Sequence, residues 1–397
     1  DRLKGSLTGK KRCLPAVAGI IAGLSVSIAG NMHYVVYSKI IPWLQNLQGK
    51  EADSYWFPDA TRYIGYNPDV PDKTIHEFPC YSFVLGDLHA HVVNVMFVLF
   101  LVGLLYAWMR SVRMREAVIM KPGRKQFWKK QLLIPHILLA AVMIGMFRFT
   151  DFIIYFVVTG GVVLFTNIVQ FDGKVKRILA VTAVQAVEII VISYVVSLPF
   201  TLQFDSMFKG VGIAQNHSMI HQLLILWGLP VILTVLLIIC IIWEKLRGGA
   251  NRSLYKLMKA ISVPDLFAIV MGLCAIGLIV IPELVYVRDI YENGNARANT
   301  MFKLTYQAYM LFGMTMGYGI FRMLVAARKK VFKVVSVIGL VLLCWTFGYF
   351  GNSVYAWFGK VWEPSEYKGL NATSFLSNDF TEDVAGIKWL KKNVKGS

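Results

Sequence analysis

The stretch "FPCYSFVLGDLHAHVVNVMF", residues 78–97, puts Asp87, His89 and His91 where an apolar run is about to begin. Carboxylates and imidazoles are costly beside hydrocarbon, so their position calls for a chemical or a local structural reason. If a helix begins near Asp87, that carboxylate caps it, Gly86 permits the turn, and Asp87 and His91 share a face. If the entry is extended, Asp87, His89 and His91 project to one side and form a three-ligand site for a divalent metal cation. Either alternative marks the mouth of a cavity.

Further polar clusters flank other apolar runs. "MFRFTDFIIY" holds Arg148 and Asp151, three apart and able to pair in a tight hairpin. "IPELVYVRDIYENGNARANTMFKLTYQ" holds Glu283, Arg288, Asp289, Arg297, Asn299, Lys303 and Tyr306, too polar for lipid exposure and suited to lining a hydrated cavity. Its cations fit a phosphate group, unless they pair only with Glu283, Asp289 and Glu292. Asp59, Arg62, His76 and Glu77 lie among the aromatic residues of "SYWFPDATRYIGYNP" and "TIHEFPCYSFVLGDLHAH". His217 and His221, four apart near Lys209, would share one face of an interfacial helix. Gln185 and Glu188 fall within an apolar run and are expected to make packing hydrogen bonds, and "GIIAG", Gly19 to Gly23, reads as a small-residue packing motif.

The elements that must position these residues are membrane helices. Of 397 residues, 56% are hydrophobic and 16% charged, and the mean hydropathy is +0.55, beyond what a soluble core requires. The expected fold is an all-α polytopic transmembrane helix bundle. Its spans are placed near 14–37, 92–109, 131–147, 152–170, 178–199, 223–243, 264–283, 305–325 and 331–350, roughly nine in all. The bundle occupies 1–350, a structured external loop spans 38–91, and 351–397 form an external tail opening a possible further domain.

The net charge of +18 is a topology signal that excludes a nucleic-acid reading. The basic stretches "RLKGSLTGKKR", "RSVRMREAVIMKPGRKQFWKK", "GKVKR", "EKLRGGANRSLYKLMK" and "RMLVAARKKVFK" fall on one side, while Asp53, Asp59, Asp69, Asp72, Glu77, Glu283 and Asp289 fall on the other. The positive-inside rule makes the N-terminus cytoplasmic and the tail extracytoplasmic, in the plasma membrane with anionic lipids as neighbours. Five scattered Cys without a CxxC pair give no sign of redox or zinc chemistry. No GxxxxGK[ST] loop supports ATP-driven work. No cleavable signal peptide is visible, and Asp1 in place of Met is expected of a fragment.

"EFPCYSFVLGDLHAHV", "RFTDFIIY" and "PELVYVRDIYENGNARANTMFKLTYQAYMLFG" resemble three blocks of the DUF2298 or YYY-domain membrane proteins, in the same order and spacing, over about 55–397. That family is similar to the GT-C superfamily of glycosyltransferases using polyprenyl-phosphate-linked sugars. The resemblance implies a GT-C-like bundle and site positions at Glu77, Asp87, His89, His91, Asp151, Glu283, Arg288, Asp289, Arg297, Asn299, Lys303 and Tyr306. It also implies further N-terminal spans with an acidic first loop and a Tyr-rich stretch, which a partner chain or a longer polypeptide would supply. In such an enzyme Arg288, Arg297 and Lys303 would hold the donor phosphate, and Asp87, Glu283 or Asp59 would act as base, with a metal in some cases. The rival expectations are a flippase or transporter of a lipid-linked sugar or anionic lipid, and a scaffold subunit of an envelope-assembly complex.

Overall fold

The computed structural model describes residues 14–117, 135–146, 149–204, 209–249, 253–289, 295–361, 363 and 375–395. Its helices, in chain order, are α1 (Leu14–Ser27), α2 (Met32–Val35), α3 (Ile41–Leu47), α4 (Pro79–Val84), α5 (Ala90–Ala117), α6 (Pro135–Met146), α7 (Phe149–Gln170) and α8 (Val175–Thr201). They continue as α9 (Ile220–Arg247), α10 (Leu254–Ala260), α11 (Val263–Leu284), α12 (Ala298–Ala326), α13 (Lys330–Thr346), α14 (Gly348–Phe358), α15 (Leu376–Asp379) and α16 (Thr381–Asn393). The fold is an all-α polytopic bundle. The chain divides into two units, 1–353 and 354–397. The second contains α15 and α16, and Ile387, Trp389 and Leu390 of α16 and the following Val394 are exposed.

Among the described residues, seven helical segments are long and apolar enough to cross a membrane: Ala90–Arg113, Asp151–Gln170, Val175–Thr201, Ile220–Arg247, Val263–Leu284, Ala298–Ala326 and Lys330–Phe358. The first expected span is broken. Leu14–Ser27 and Met32–Leu47 meet at 82°, and together they bring the number to eight. The break has local causes: Asn31 caps α2 by accepting from His33 N, and Gly30 N donates to Thr346 O at 3.0 Å. Gly30 also lies so close to Tyr349 that an added Cβ would stand 2.5 Å from that residue's Cβ. The expected span near 131–147 lies partly outside the described residues, and the 12 residues of α6 are too few to cross alone.

The bundle is apolar outside, and the polar side chains of its spans turn inward, as a hydrocarbon solvent demands. On α8, Val187, Ile190, Val191 and Val195 are exposed whereas Gln185 is buried and accepts from Asn167 Nδ2 at 2.9 Å. That bond realises the packing role expected of Gln185. Tyr155 OH donates to Gln307 at 2.5 Å between α7 and α12. "GIIAG" does not form the contact of α1 with α12: Gly19 and Gly23 face open space, and the close approach is made by Ala22, Ser25 and Val26 against Gly317 and Gly313.

An antiparallel pair of three-residue strands, β1 (Val211–Ile213) and β2 (Val285–Val287), ties the α8–α9 connection to the α11–α12 connection, with Gly212 opposite Tyr286. Strands this short carry no alternation that a sequence can display. The first loop is structured, with a 3₁₀ turn at Phe57–Thr61 and backbone bonds from Thr74 N to Ile64 O and from His76 N to Thr61 O. It is pinned to the bundle by Gln222 donating to Asn67 O, Tyr349 OH donating to Phe57 O, and the ion pair of Asp72 with Arg297.

Candidate functional site

The loop, the first turns of α5 and α7 and the second turn of α12 converge on a cleft of about 580 Å³. The loop contributes Arg62, Glu77, Tyr81, Leu85, Asp87 and His89; α5 contributes Ala90 and His91; α7 contributes Asp151; α12 contributes Phe302 and Lys303. Its size is that of a pocket for a small molecule or a headgroup, which runs roughly 300–1,000 Å³.

Asp87 sits in a turn made possible by Gly86, whose φ is +66°. The helix starts at Ala90, later than the expected start near Asp87, so the carboxylate closes a turn ahead of the helix instead of capping it. Asp87 Oδ1 accepts from His89 N at 2.8 Å and also contacts His89 Nδ1, while Oδ2 stands 3.6 Å from His91 Nε2. Asp87 and His91 therefore face each other, and His89 turns outward, its side chain 80% exposed. His91 packs edge-on against Phe302 and Tyr306. Tyr306 is buried beneath it, 3.4 Å from Ser82 Oγ.

Glu77 joins this group from the loop. One of its oxygens, Oε1, accepts from Arg62 at 2.8 Å, and Arg62 also donates to Thr61 Oγ1 and lies over the Tyr81 ring. Among the described residues, Glu77, Asp87 and His91 offer ligand atoms that all lie within 4.8 Å of one another. The group close enough to share one ion thus includes Glu77 where the sequence pattern offers His89. On the far wall Asp151 accepts from Asn94 Nδ2 at 2.8 Å, and Lys303 lies within electrostatic reach of Asp151 and Asp289. Arg148 lies outside the described residues.

The other expected site residues gather elsewhere. Arg297 is 2% exposed, its Nε on Asp72 at 2.7 Å, one Nη on Glu283 at 2.8 Å and the other on Ser218 Oγ at 3.2 Å. Glu283 also accepts from Ser218 N and Oγ. Glu283 and Arg297 thus saturate one another inside the protein and do not line the cleft, an extended form of the salt-bridged loop. Asn299 donates to Asp289 at 2.7 Å, and the exposed Arg288 continues the β1–β2 pairing through its backbone. Asp59 is in the 3₁₀ turn, away from the cleft lining, with its carboxyl pushed up by partial burial. His217 precedes α9 and meets Glu283 O, whereas His221 is within α9 and packs on Tyr63, so the two do not share a helical face.

Sequence reasoning passed over Asn94 and the partnership of Arg62 with Glu77. Asn94 was detectable: Asp87, His91 and Asn94 repeat at four and three, the spacing of one helix face. Asp72 had no such signal, because its partner is 225 residues away.

The apolar exterior, the spanning helices and the polar clusters gathered at the ends of the bundle define a multi-pass membrane protein. A family model described as an uncharacterized membrane protein (DUF2298) matches residues 2–264 and 250–312, and the chain belongs to that family. Comparison with curated proteins and with solved structures found no match.

Proposed function

We propose that the protein is a GT-C-like membrane glycosyltransferase that takes a polyprenyl-phosphate-linked sugar at the extracytoplasmic face of the plasma membrane. The observation that carries this reading is the cleft, which joins Asp87 to the cations Lys303 and Arg62 beside the N-termini of α5 and α7. The N-termini of α5 and α7 add partial positive charge, and backbone N–H groups at such ends favour a phosphate. Lys303 supplies a point charge and Arg62 a planar donor to the same anion. Asp87, oriented through Oδ1 by His89, is the base. An acceptor hydroxyl attacks the anomeric carbon, its proton passes to Asp87, and the sugar–phosphate C–O bond breaks with its electron pair leaving on the phosphate.

The ion-paired cluster at the opposite end favours a one-sided site over a through-route. Arg322 is held there by Asp265 at 2.9 Å and Glu244 at 3.0 Å. The test uses purified protein in nanodiscs with a labelled polyprenyl-phosphate sugar. Lys303→Ala is expected to weaken binding by about 1.5–3 kcal/mol, roughly ten- to a hundredfold. Asp87→Asn is expected to keep binding and to lose about 10²–10⁴ in turnover. Unchanged affinity in Lys303→Ala and Arg62→Ala alike would overturn the phosphate assignment, and movement of labelled lipid across liposomes without bond cleavage would replace transfer with flipping.

A further inference from the structure

We infer that Glu77, Asp87 and His91 bind a divalent cation of the first transition row, Mn²⁺ or Zn²⁺, and leave coordination positions open toward the cleft. Their ligand atoms lie within 4.8 Å of one another, on two elements that approach from different directions, the first loop and α5. His91 Nε2 is closed off from solvent and has no hydrogen-bond partner among the described residues. A polar atom left in that state calls for a counterpart. Asp87 Oδ2, at 3.6 Å, is too far for a hydrogen bond and close to the separation of two ligands on one ion. With bonds of about 2.0–2.2 Å, neighbouring ligands stand roughly 3.0–3.5 Å apart, so a small inward shift satisfies both.

Both carboxylates are anchored in a way that leaves one oxygen for metal. Asp87 Oδ1 is occupied by His89 while Oδ2 faces His91, and Glu77 Oε1 is occupied by Arg62 while its other oxygen has no such anchor among the described residues. Outer partners that fix ligand orientation in this manner are a general feature of metal centres. One imidazole with two carboxylates suits Mn²⁺ or Zn²⁺ over Mg²⁺, which prefers oxygen alone. Three protein ligands leave room for a phosphate oxygen and water in the cleft. That last role rests on the phosphate reading, whereas ion binding itself does not; with an ion on Oδ2, Asp87 would serve as a ligand and an ion-bound hydroxide would take the acceptor proton in its place.

The experiment titrates Mn²⁺ into the purified full chain in nanodiscs, without lipid-linked sugar, and follows it by electron paramagnetic resonance. A saturable site is expected, with nitrogen modulation from an imidazole that vanishes in His91→Gln and persists in His89→Ala. Glu77→Gln and Asp87→Asn are expected to weaken the site about tenfold or more while the thermal midpoint of unfolding stays near the wild-type value. If His91→Gln fails to fold, Glu77→Gln and Asp87→Asn decide by affinity. Absence of saturable binding, or nitrogen modulation lost in His89→Ala and kept in His91→Gln, would overturn the assignment. Because no lipid-linked sugar is present, failure here leaves binding of that donor by Lys303 and Arg62 standing, and loss of donor binding leaves the metal site standing.

Discussion

Two arginines in this chain show how burial decides what a charge can do. Arg62 is partly exposed, meets Glu77 and lines the cleft, so its remaining donors can reach a ligand. Arg297 is spent on Asp72, Glu283 and Ser218 in the interior. Replacing it by Ala leaves two carboxylates buried without their cation, which typically costs about 3–5 kcal/mol. Arg297→Ala is therefore expected to lower the thermal midpoint sharply, while Lys303→Ala leaves it nearly unchanged and lowers anion affinity; differential scanning fluorimetry and a binding titration on the same samples separate the two. His76 offers a second test. It is fully buried in the first loop, and burial first, then the His33 and Arg62 charges, hold its pKa down at about 3 against 6.5 when exposed. The unfolded chain thus binds the extra proton between pH 6.5 and about 3, so stability falls as pH drops through that window, by up to about 1.4 kcal/mol per unit. His76→Phe removes the titration, and its unfolding midpoint is expected to depend less on pH below 6.5 than that of the wild type. Neither role was legible in the sequence. The types Arg297 and His76 suggested chemistry, and only the tertiary partner or its absence turns one into a strut and the other into a neutral core residue.

Helices were far more legible than the joints between them. Long apolar runs fix α5, α7, α8, α9, α11 and α12 because hydrocarbon leaves the backbone no alternative to internal hydrogen bonding. A break such as that after α1 depends on Asn31 capping α2, a local bond, and on Tyr349 packing against Gly30 from far along the chain, neither of which hydropathy records. The small-residue motif shows the same limit. Gly19 and Gly23 have the right spacing, yet the α1–α12 approach uses Gly313 and Gly317, where an added Cβ would lie 2.8 Å from Val26 and 2.6 Å from Ala22. Gly317→Ala pushes against the Ala22 backbone, which cannot rotate aside, and an overpacked contact of this kind costs about 1–3 kcal/mol. Gly23→Ala meets nothing within 4 Å and is expected to leave stability unchanged or slightly improved. Thermal unfolding of the two variants in one detergent checks this, and equal losses would mean that the helix pair is held by another face.

Across the whole molecule, polar chemistry is sorted between two ends. One carries Asp87, His91, Asp151 and Lys303 around the cleft; the other carries Arg322 with Asp265 and Glu244, Arg113 on the carbonyls of Lys259 and Ile261, and the Lys259–Asp172 pair. The gathering of acids and imidazoles at one end was legible, because helices that alternate direction bring every second connection to the same side. Which clusters share a cavity was not, since Glu283 with Arg297 and Asp87 with Lys303 have similar composition and are separated only by the path of the first loop. Lys and Arg exceed acids by 41 to 23, and among the described residues the basic connections, with Arg113, Lys174, Lys259 and Lys329, lie opposite the cleft. Translocating those connections would move unpaired cations through hydrocarbon, so the cleft is expected to face outward. Single cysteines at Asp69, which is 77% exposed in the first loop, and at Lys329, at the start of α13, test this in a background whose native Cys are replaced. A membrane-impermeant maleimide added to intact cells is expected to label Asp69→Cys and to spare Lys329→Cys until the membrane is opened. Labelling of Lys329→Cys in intact cells, with Asp69→Cys protected, would invert the orientation and move the proposed lipid-phosphate chemistry to the cytoplasmic face.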